Sequence, residues 1–456
     1  MYYILLLICL LSRIISSIYY IEDIDSLRFA LSIVDEYSVA KYQPHFPGYP
    51  VYCFIAIILY KITGSLAISA SLIGGLSTFF IIYFSLKILK IKIESKSSVF
   101  LILITFFNPM IWILGNRYMP DLMGMSVALA SIHLILSGKK QNEQIIGYLL
   151  AGILLGIRLS YFPLLILPII IIFFNNKKYY VPIISIISGL LIWIIPFVFT
   201  EGLNDLITVA LQHVSGHFND YGGTIITEKN IFIRLKFLVN TIWSDGLGGY
   251  WKNRNLITII ISLLTISIFI KSKSYKVRID KNFKIFLFSC LLYLIWIFFF
   301  QNLIYKSRHV LPLIVASILI IAQYQNSQKS KLLSLTLPIF LFLLTFNLIT
   351  SHKFGTSIYL LKNHIQQNEK EYILSNSLIN YYLKNNGIES NFINVDKIDK
   401  EYLFNSIDGS DNIIMIGDYS KIFETHYNID LDTTFYHNPY MNRMWSEIPL
   451  YSLSLK

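Results

Sequence analysis

The chain has 456 residues, of which 55% are hydrophobic and 14% charged, with a net charge of +11. A soluble protein of this length cannot hide so much apolar surface, whereas a membrane protein has lipid for a solvent. The basic balance does not read as nucleic-acid binding, because the lysines sit in short loops between apolar stretches, where membrane topology puts them.

Residues 2–20 form the first apolar stretch. It has no basic start and no small-residue cleavage site, so it reads as a spanning helix rather than a signal peptide. Three carboxylates follow at once: Glu22, Asp23 and Asp25. Residues 24–40 carry Leu27, Leu31 and Val34 at helical spacing among polar residues, the pattern of a helix lying on the membrane surface. Then comes the stiff turn Pro44-His45-Phe46-Pro47-Gly48-Tyr49-Pro50, and an apolar run over 51–62 that is too short to span and reads as interfacial or re-entrant.

Further apolar stretches lie near 66–86, 98–114, 119–137, 145–157, 160–174, 179–200, 255–270, 283–300, 309–323 and 332–350. With the first, this predicts a mainly α polytopic bundle of about eleven spans. Lysines cluster at Lys87 to Lys96, Lys139-Lys140, Lys177-Lys178, Lys271 to Lys284 and Lys329 to Lys331, which should be cytoplasmic. The loops 21–65, 115–121, 157–160, 201–254 and 301–308, and the tail from 351, then face outward. The N-terminus is expected in the cytoplasm of an inner or plasma membrane.

From Ser351 the composition changes. Runs at Tyr372-Ile373-Leu374, Asn391-Phe392-Ile393 and Ile413 to Ile416 alternate with polar helical stretches. Two domains are expected: residues 1–350 in the membrane and a small external α/β domain over 351–456.

The chemistry-bearing residues collect at the predicted outer face. Asp25, Asp23 and Glu22 read either as a solvated acidic loop or as a site where a carboxylate takes a proton from a weak hydroxyl nucleophile. His45 and Tyr49 sit on the proline-stiffened turn, a plain connector or a preorganised wall. Arg117 and Asp121 share one short turn, where Asp121 is a helix start or a second site carboxylate. Arg158 lies between two apolar segments, and Arg308-His309 opens a late span. Such arginines snorkel to the interface or hold phosphate oxygens with a fixed fork of donors. Arg13, inside the first span, reads as a snorkelling or packing residue. His213 and His217 have metal-like helical spacing in the 201–254 loop but no third ligand nearby in sequence. The glycines of that loop suit either a mobile lid or an ordinary surface loop. Three cysteines, Cys9, Cys53 and Cys290, all lie in apolar segments and make no disulfide or CxxC pattern.

Three segments carry a resemblance: Asp25-Ser26 through Pro50, Asn108-Pro109 through Arg117 and Asp121, and Arg308-His309-Val310-Leu311-Pro312. Over about residues 20–350 the chain resembles the glycosyltransferase C (GT-C) superfamily, and within it the protein-mannosyltransferase branch. It departs from that pattern at Phe46, where a second proline is usual, and at Asp121, which follows Met119-Pro120.

The resemblance implies a polyprenyl-phosphate-linked sugar donor, and transfer to a hydroxyl of a glycan, lipid or protein at the outer face with inversion. Asp25 would be the base, Asp121 would orient acceptor or sugar, Arg308 would hold the lipid phosphate, and Arg158 would assist. Glu22, Asp23, His45, Tyr49, Arg117 and His309 would complete the substrate site. No cofactor is firmly implied, and a divalent metal ion is left open, since family members differ. A lipid or glycan flippase, or a non-catalytic envelope-assembly protein, is the alternative. A flippase predicts inverted repeats and mid-membrane ionisable residues, neither of which is clear in this sequence.

Overall fold

The computed structural model describes residues 1–138, 140–175, 180–272, 279–327, 331–368, 370–396 and 412–456. Lys139, Lys177, Lys178, Lys273, Lys276, Arg278 and Lys329 of the predicted cytoplasmic loops lie outside the described residues. The chain divides into two compact units. One comprises Met1–Tyr19 and Arg28–Thr350, the other Tyr20–Leu27 and Ser351–Lys456.

The larger unit is helical. Its elements are α1 (Tyr2–Ile15), α2 (Ile24–Val34, whose first turn belongs to the other unit), α3 (Pro50–Thr63), α4 (Leu66–Ile88), α5 (Lys96–Phe106), α6 (Pro109–Leu114), α7 (Asp121–Ser137), α8 (Gln141–Ile157), α9 (Pro163–Asn175), α10 (Tyr180–Glu201), α11 (Leu203–Gly216), α12 (Ile231–Asn240), α13 (Ile257–Ser272), α14 (Lys281–Phe300), α15 (Leu311–Asn326) and α16 (Lys331–Lys353, whose end from Ser351 belongs to the other unit). Among the described residues five helical stretches are long and apolar enough to cross a membrane: Leu66–Ile88, Tyr180–Glu201, Lys281–Phe300, Ser307–Asn326 and Leu335–Gln367. Several shorter apolar helices join them.

One break refines the sequence reading. The stretch read as one span over 98–114 is α5 and α6, parted at Phe107-Asn108. Pro109 cannot continue a helix, because it lacks the amide, and Asn108 caps the new one by accepting from Ile111 N. The apolar stretches read at 145–157 and 160–174 are two helices, α8 and α9, with Arg158 between them.

Helices meet closely where glycines face each other. A Cβ on Gly152 of α8 would stand 2.3 Å from the Ile186 carbonyl of α10, and one on Gly189 of α10 would stand 2.2 Å from the Leu149 carbonyl. Without a hydrophobic drive between helices in lipid, small residues of this kind let backbones pack. The centre of the unit is α4 and α15, whereas only 22% of the apolar window of α10 is buried.

Arg13 does not snorkel. It is fully buried, with its guanidinium carbon 3.8 Å from the Trp112 ring centroid and 5.1 Å from that of Phe106. The backbone carbonyl of Arg13 accepts from Asn116 Nδ2, which also reaches Ser71 of α4. The same Asn116 accepts from Ser16 through its Oδ1. This polar knot anchors the turn that leads to Arg117 and Asp121.

The smaller unit holds a five-stranded sheet in the order β2-β1-β3-β5-β4. Its strands are β1 (Tyr372–Ser375), β2 (Asn391–Asn394), β3 (Ile413–Ile416), β4 (Tyr427–Tyr436) and β5 (Glu447–Leu455). The three short apolar runs predicted from the sequence are β1 to β3, mutually parallel, with Ile373 opposite Phe392 and Ile414. The antiparallel pair β4 and β5 goes beyond the sequence reading. Its strands alternate polar and apolar residues, which covers one face of a sheet and leaves the other wet. Leu374, Ile393, Met415, Phe423 and Leu453 form the core. Helices α17 (Ser357–Gln367) and α18 (Ser377–Lys384) accompany the sheet.

Candidate active site

Within the larger unit the site grows from the start of α7. Asp121 opens that helix after Pro120, and its carboxylate is 1% exposed. Arg158, at the break between α8 and α9, brings Nη2 to 3.0 Å from Asp121 Oδ1. Arg308, in the single helical turn Ser307–Val310 before α15, brings Nε to 3.7 Å from Asp121 Oδ2. One buried carboxylate thus receives two guanidinium groups from distant parts of the chain. Burial works against the charged form of Arg158, but Asp121, with Tyr49, Tyr161 and Tyr293, outweighs it and raises the guanidinium pKa above its ordinary value.

Gly124 makes this approach feasible. It stands one turn after Asp121 on α7, and a Cβ there would lie 2.7 Å from Arg158 Cβ and 3.2 Å from the Tyr161 ring.

Arg158 also donates from Nη1 to the Tyr49 hydroxyl at 3.4 Å and from Nη2 to His309 Nδ1 at 3.4 Å. His309 is held in turn by Tyr293, whose hydroxyl donates to its carbonyl at 2.8 Å. Tyr49 shares a 3.1 Å hydrogen bond with His45 Nε2. The proline-rich turn that presents both residues is over-determined. Gly48 has φ +83°, and a Cβ there would meet Phe197, Tyr37 and Val39 within 2.9 Å. Tyr49 itself is left-handed (φ 48°) at the start of α3, a conformation that costs of order 1–3 kcal/mol and persists only where packing enforces it.

The His45 ring stacks on His213 of α11 with centroids 5.9 Å apart, and His213 stacks on His217 at 6.2 Å. Parallel stacked rings do not aim their nitrogens at one point. Among the described residues no group of three or more His, Cys, Asp or Glu side chains is disposed to hold a metal ion. Arg117 is buried in the turn before Asp121.

The larger unit therefore brings together Asp121, Arg158, Arg308, His309, Tyr49 and His45. Tyr293 is not among the sequence candidates, since nothing in an apolar span marks one tyrosine among many. His213 stands out in the sequence only for its spacing to His217, not as a neighbour of His45.

Glu22, Asp23 and Asp25 belong to the smaller unit and are all buried. They are not a solvated acidic loop. Glu22 lies 3.4 Å from His352 Nε2, and its carbonyl accepts from Thr356. Asp23 caps the start of α2 by accepting from Ser26 N at 2.8 Å, and its other oxygen accepts from Asn442 Nδ2 at 2.8 Å. Burial first, then the Asp23 carboxylate, push the Tyr382 phenol well above its usual range. The Tyr382 hydroxyl donates to the Ile21 carbonyl. Asp25 stands in the first turn of α2.

No protein-family model matches the chain, and no curated protein matches it. Solved structures do. ArnT from Cupriavidus metallidurans bound to undecaprenyl phosphate matches with a TM-score of 0.54 at 9% identity, over 98% of this chain and 97% of that one. ArnT from the same organism in the apo state matches with a TM-score of 0.52 at 10% identity, again over 98% of this chain and 97% of that one. The chain has the ArnT fold. ArnT is a GT-C glycosyltransferase, and the likeness in fold runs over nearly the whole of this chain, the smaller unit as well as the helical one.

Proposed function

We propose that the chain is a multi-pass membrane glycosyltransferase. It moves a hexose from a polyprenyl-phosphate carrier to a hydroxyl of a glycan, lipid or protein at the outer face. The observation that carries this reading is the convergence of Arg158 and Arg308 on Asp121 in a buried cluster of polar side chains. A guanidinium presents donors in a fixed fork suited to phosphate oxygens. Two of them held in place beforehand need no reorganisation at the moment charge develops on a leaving phosphate. Arg158 Nε is buried with no acceptor among the described residues, a donor open to a ligand oxygen. The ArnT fold supports the reading, and ArnT's own structure holds undecaprenyl phosphate.

In the proposed reaction the acceptor oxygen bonds to the anomeric carbon from the face opposite the phosphate. The bond from that carbon to the phosphate oxygen breaks, and the polyprenyl phosphate departs with the electron pair. Asp25 takes the acceptor proton. Asp121 holds the two arginines against the phosphate, and Tyr49, His45 and His309 line the sugar, with Arg117 in the turn beside them. The same reading keeps eleven spans, a cytoplasmic N-terminus and an external C-terminal unit.

Mass spectrometry of envelope glycans, glycolipids and glycoproteins from a deletion strain tests the proposal. The expected result is one missing sugar, restored by the wild-type chain but not by Asp25→Asn or Arg308→Ala. Unchanged glycans with a redistributed lipid would overturn it in favour of a flippase.

A further inference from the structure

The loop between α10 and α13 contains two helices whose surfaces do not fit a helix lying between protein and water. On α11, Leu206 is buried and Val209, Ala210 and His213 are half-buried, which defines the side packed on protein. Asn204, Asp205, Thr208, Gln212 and Ser215 are exposed and polar, which defines a wet side. A third side remains. Leu203, Ile207, Leu211 and Val214 are 58%, 50%, 68% and 45% exposed. At 3.6 residues per turn these four fall on one stripe, distinct from both other faces. Helix α12 repeats the arrangement. Its inner side is Arg234 and Leu238, and Ile231, Leu235 and Val239 form an exposed stripe beside the exposed Phe232.

A helix with three faces has three surroundings. Two are protein and water, and the third must be apolar. We propose that α11 and α12 are interfacial helices seated in the outer leaflet of the bilayer, with these stripes in the acyl region. This rests on the membrane placement used above, but not on the proposed chemistry.

Three further observations favour lipid over a protein partner. The α11 stripe continues directly from α10, the span with the least buried apolar window, across the single bend at Gly202 (φ +80°). Lys229 and Lys236 are exposed beside the α12 stripe, placed for anionic headgroups. Arg234 fixes α12 to the end of a span rather than to a soluble surface. It donates from Nε to the Phe298 carbonyl at 2.9 Å and from Nη2 to the Gln301 carbonyl at 3.1 Å, at the C-terminus of α14. Burial of such stripes in the headgroup–acyl boundary is how monotopic amphipathic helices bind.

The seating has a consequence for the site. The inner side of α11 carries His213, whose ring stacks on His45. The leaflet and the proline-rich turn therefore hold α11 from two sides, which makes the loop a lipid-supported wall rather than a free lid.

The test uses the full-length protein in phosphatidylethanolamine–phosphatidylglycerol vesicles. The native cysteines are all buried, so single cysteines can be introduced and spin-labelled. The stripe positions are Ile207, Leu211, Val214 and Leu235, and the wet positions are Asp205 and Gln212. Accessibility to oxygen, which concentrates in lipid, is compared with accessibility to a water-soluble nickel chelate. Stripe positions should favour oxygen several-fold over Asp205 and Gln212. Three results would overturn the proposal: equal chelate access on all faces, labels closed to both reagents, or label–label coupling between copies, which would make the stripe a self-association surface. A variant that does not elute as a single species is replaced by its neighbour on the same stripe, so a folding failure does not decide the outcome.

Discussion

Arg158 and Asp121 form a buried ion pair, Nη2 to Oδ1 at 3.0 Å, across thirty-seven positions of sequence that include the whole of α7 and α8. A buried pair is weak evidence of net stabilisation, because desolvation of both charges offsets their attraction. Removing one partner is costly, because the other stays buried and uncompensated. Arg158→Leu and Asp121→Ala should each destabilise the larger unit by about 3–5 kcal/mol, and the double variant should lose less than the sum. Thermal unfolding in detergent measures this, and strict additivity would contradict the pairing.

Gly124→Ala should act on the same pair without touching a charge. The new Cβ would stand 2.7 Å from Arg158 Cβ, a carbon bonded directly to the backbone that cannot swing aside as a side-chain tip can. Overpacking of this kind costs about 1–3 kcal/mol. The expected result is weakened binding of polyprenyl phosphate by the purified protein, with expression retained. Unchanged binding would separate Gly124 from the site.

Asp25→Asn tests the proposed base. General-base catalysis typically contributes about 10²–10⁴ in rate, so turnover should fall by that order while membrane insertion and lipid binding persist. Full activity would remove Asp25 from the mechanism. Glu22→Gln, by contrast, should show itself first in the stability of the smaller unit, because Glu22 contacts His352 there.

His217 makes a pH-dependent tether. Its Nε2 donates to the Phe300 carbonyl at 2.9 Å, and burial first, with Lys306 adding, lowers its pKa below the ordinary 6.5 against a smaller opposing pull from that carbonyl. The folded state therefore favours the neutral ring. The resulting stability is present above pH 6.5, where the unfolded ring is also neutral, and is lost as pH falls through the lowered value. Acidification should speed proteolysis of the 201–254 loop, and His217→Gln should flatten that pH dependence. An acid-insensitive wild-type loop would contradict it.

The local features of the fold are legible from residue order alone. Apolar run lengths mark the membrane helices, Arg158 stands between two of the runs, and three β-rich runs mark the parallel part of the sheet, whereas the break at Pro109 falls inside a stretch read as one span. These are effects of neighbours on neighbours: a missing amide, a hydrophobic period, a capping side chain. The β4–β5 pair escapes such a reading because alternating polar strands resemble loops until a partner strand covers them. Glu22, Asp23 and Asp25 can be read as solvated because nothing nearby in sequence hides them. Residues more than three hundred positions away, His352, Thr356 and Asn442, contact Glu22 and Asp23.

The chain by itself determined that the protein is a membrane helix bundle with a terminal α/β unit, since hydropathy and periodicity are summed locally and need no partner. Only the tertiary structure decided that Asp121, Arg158, Arg308, His309 and Tyr49 share one buried cluster, that Arg13 lies under Trp112 instead of reaching for the interface, and that α11 has three faces. Each of these depends on which distant segments pack together. A charged side chain in an apolar protein takes its meaning from the partner that compensates its burial, and spacing along the chain does not name that partner.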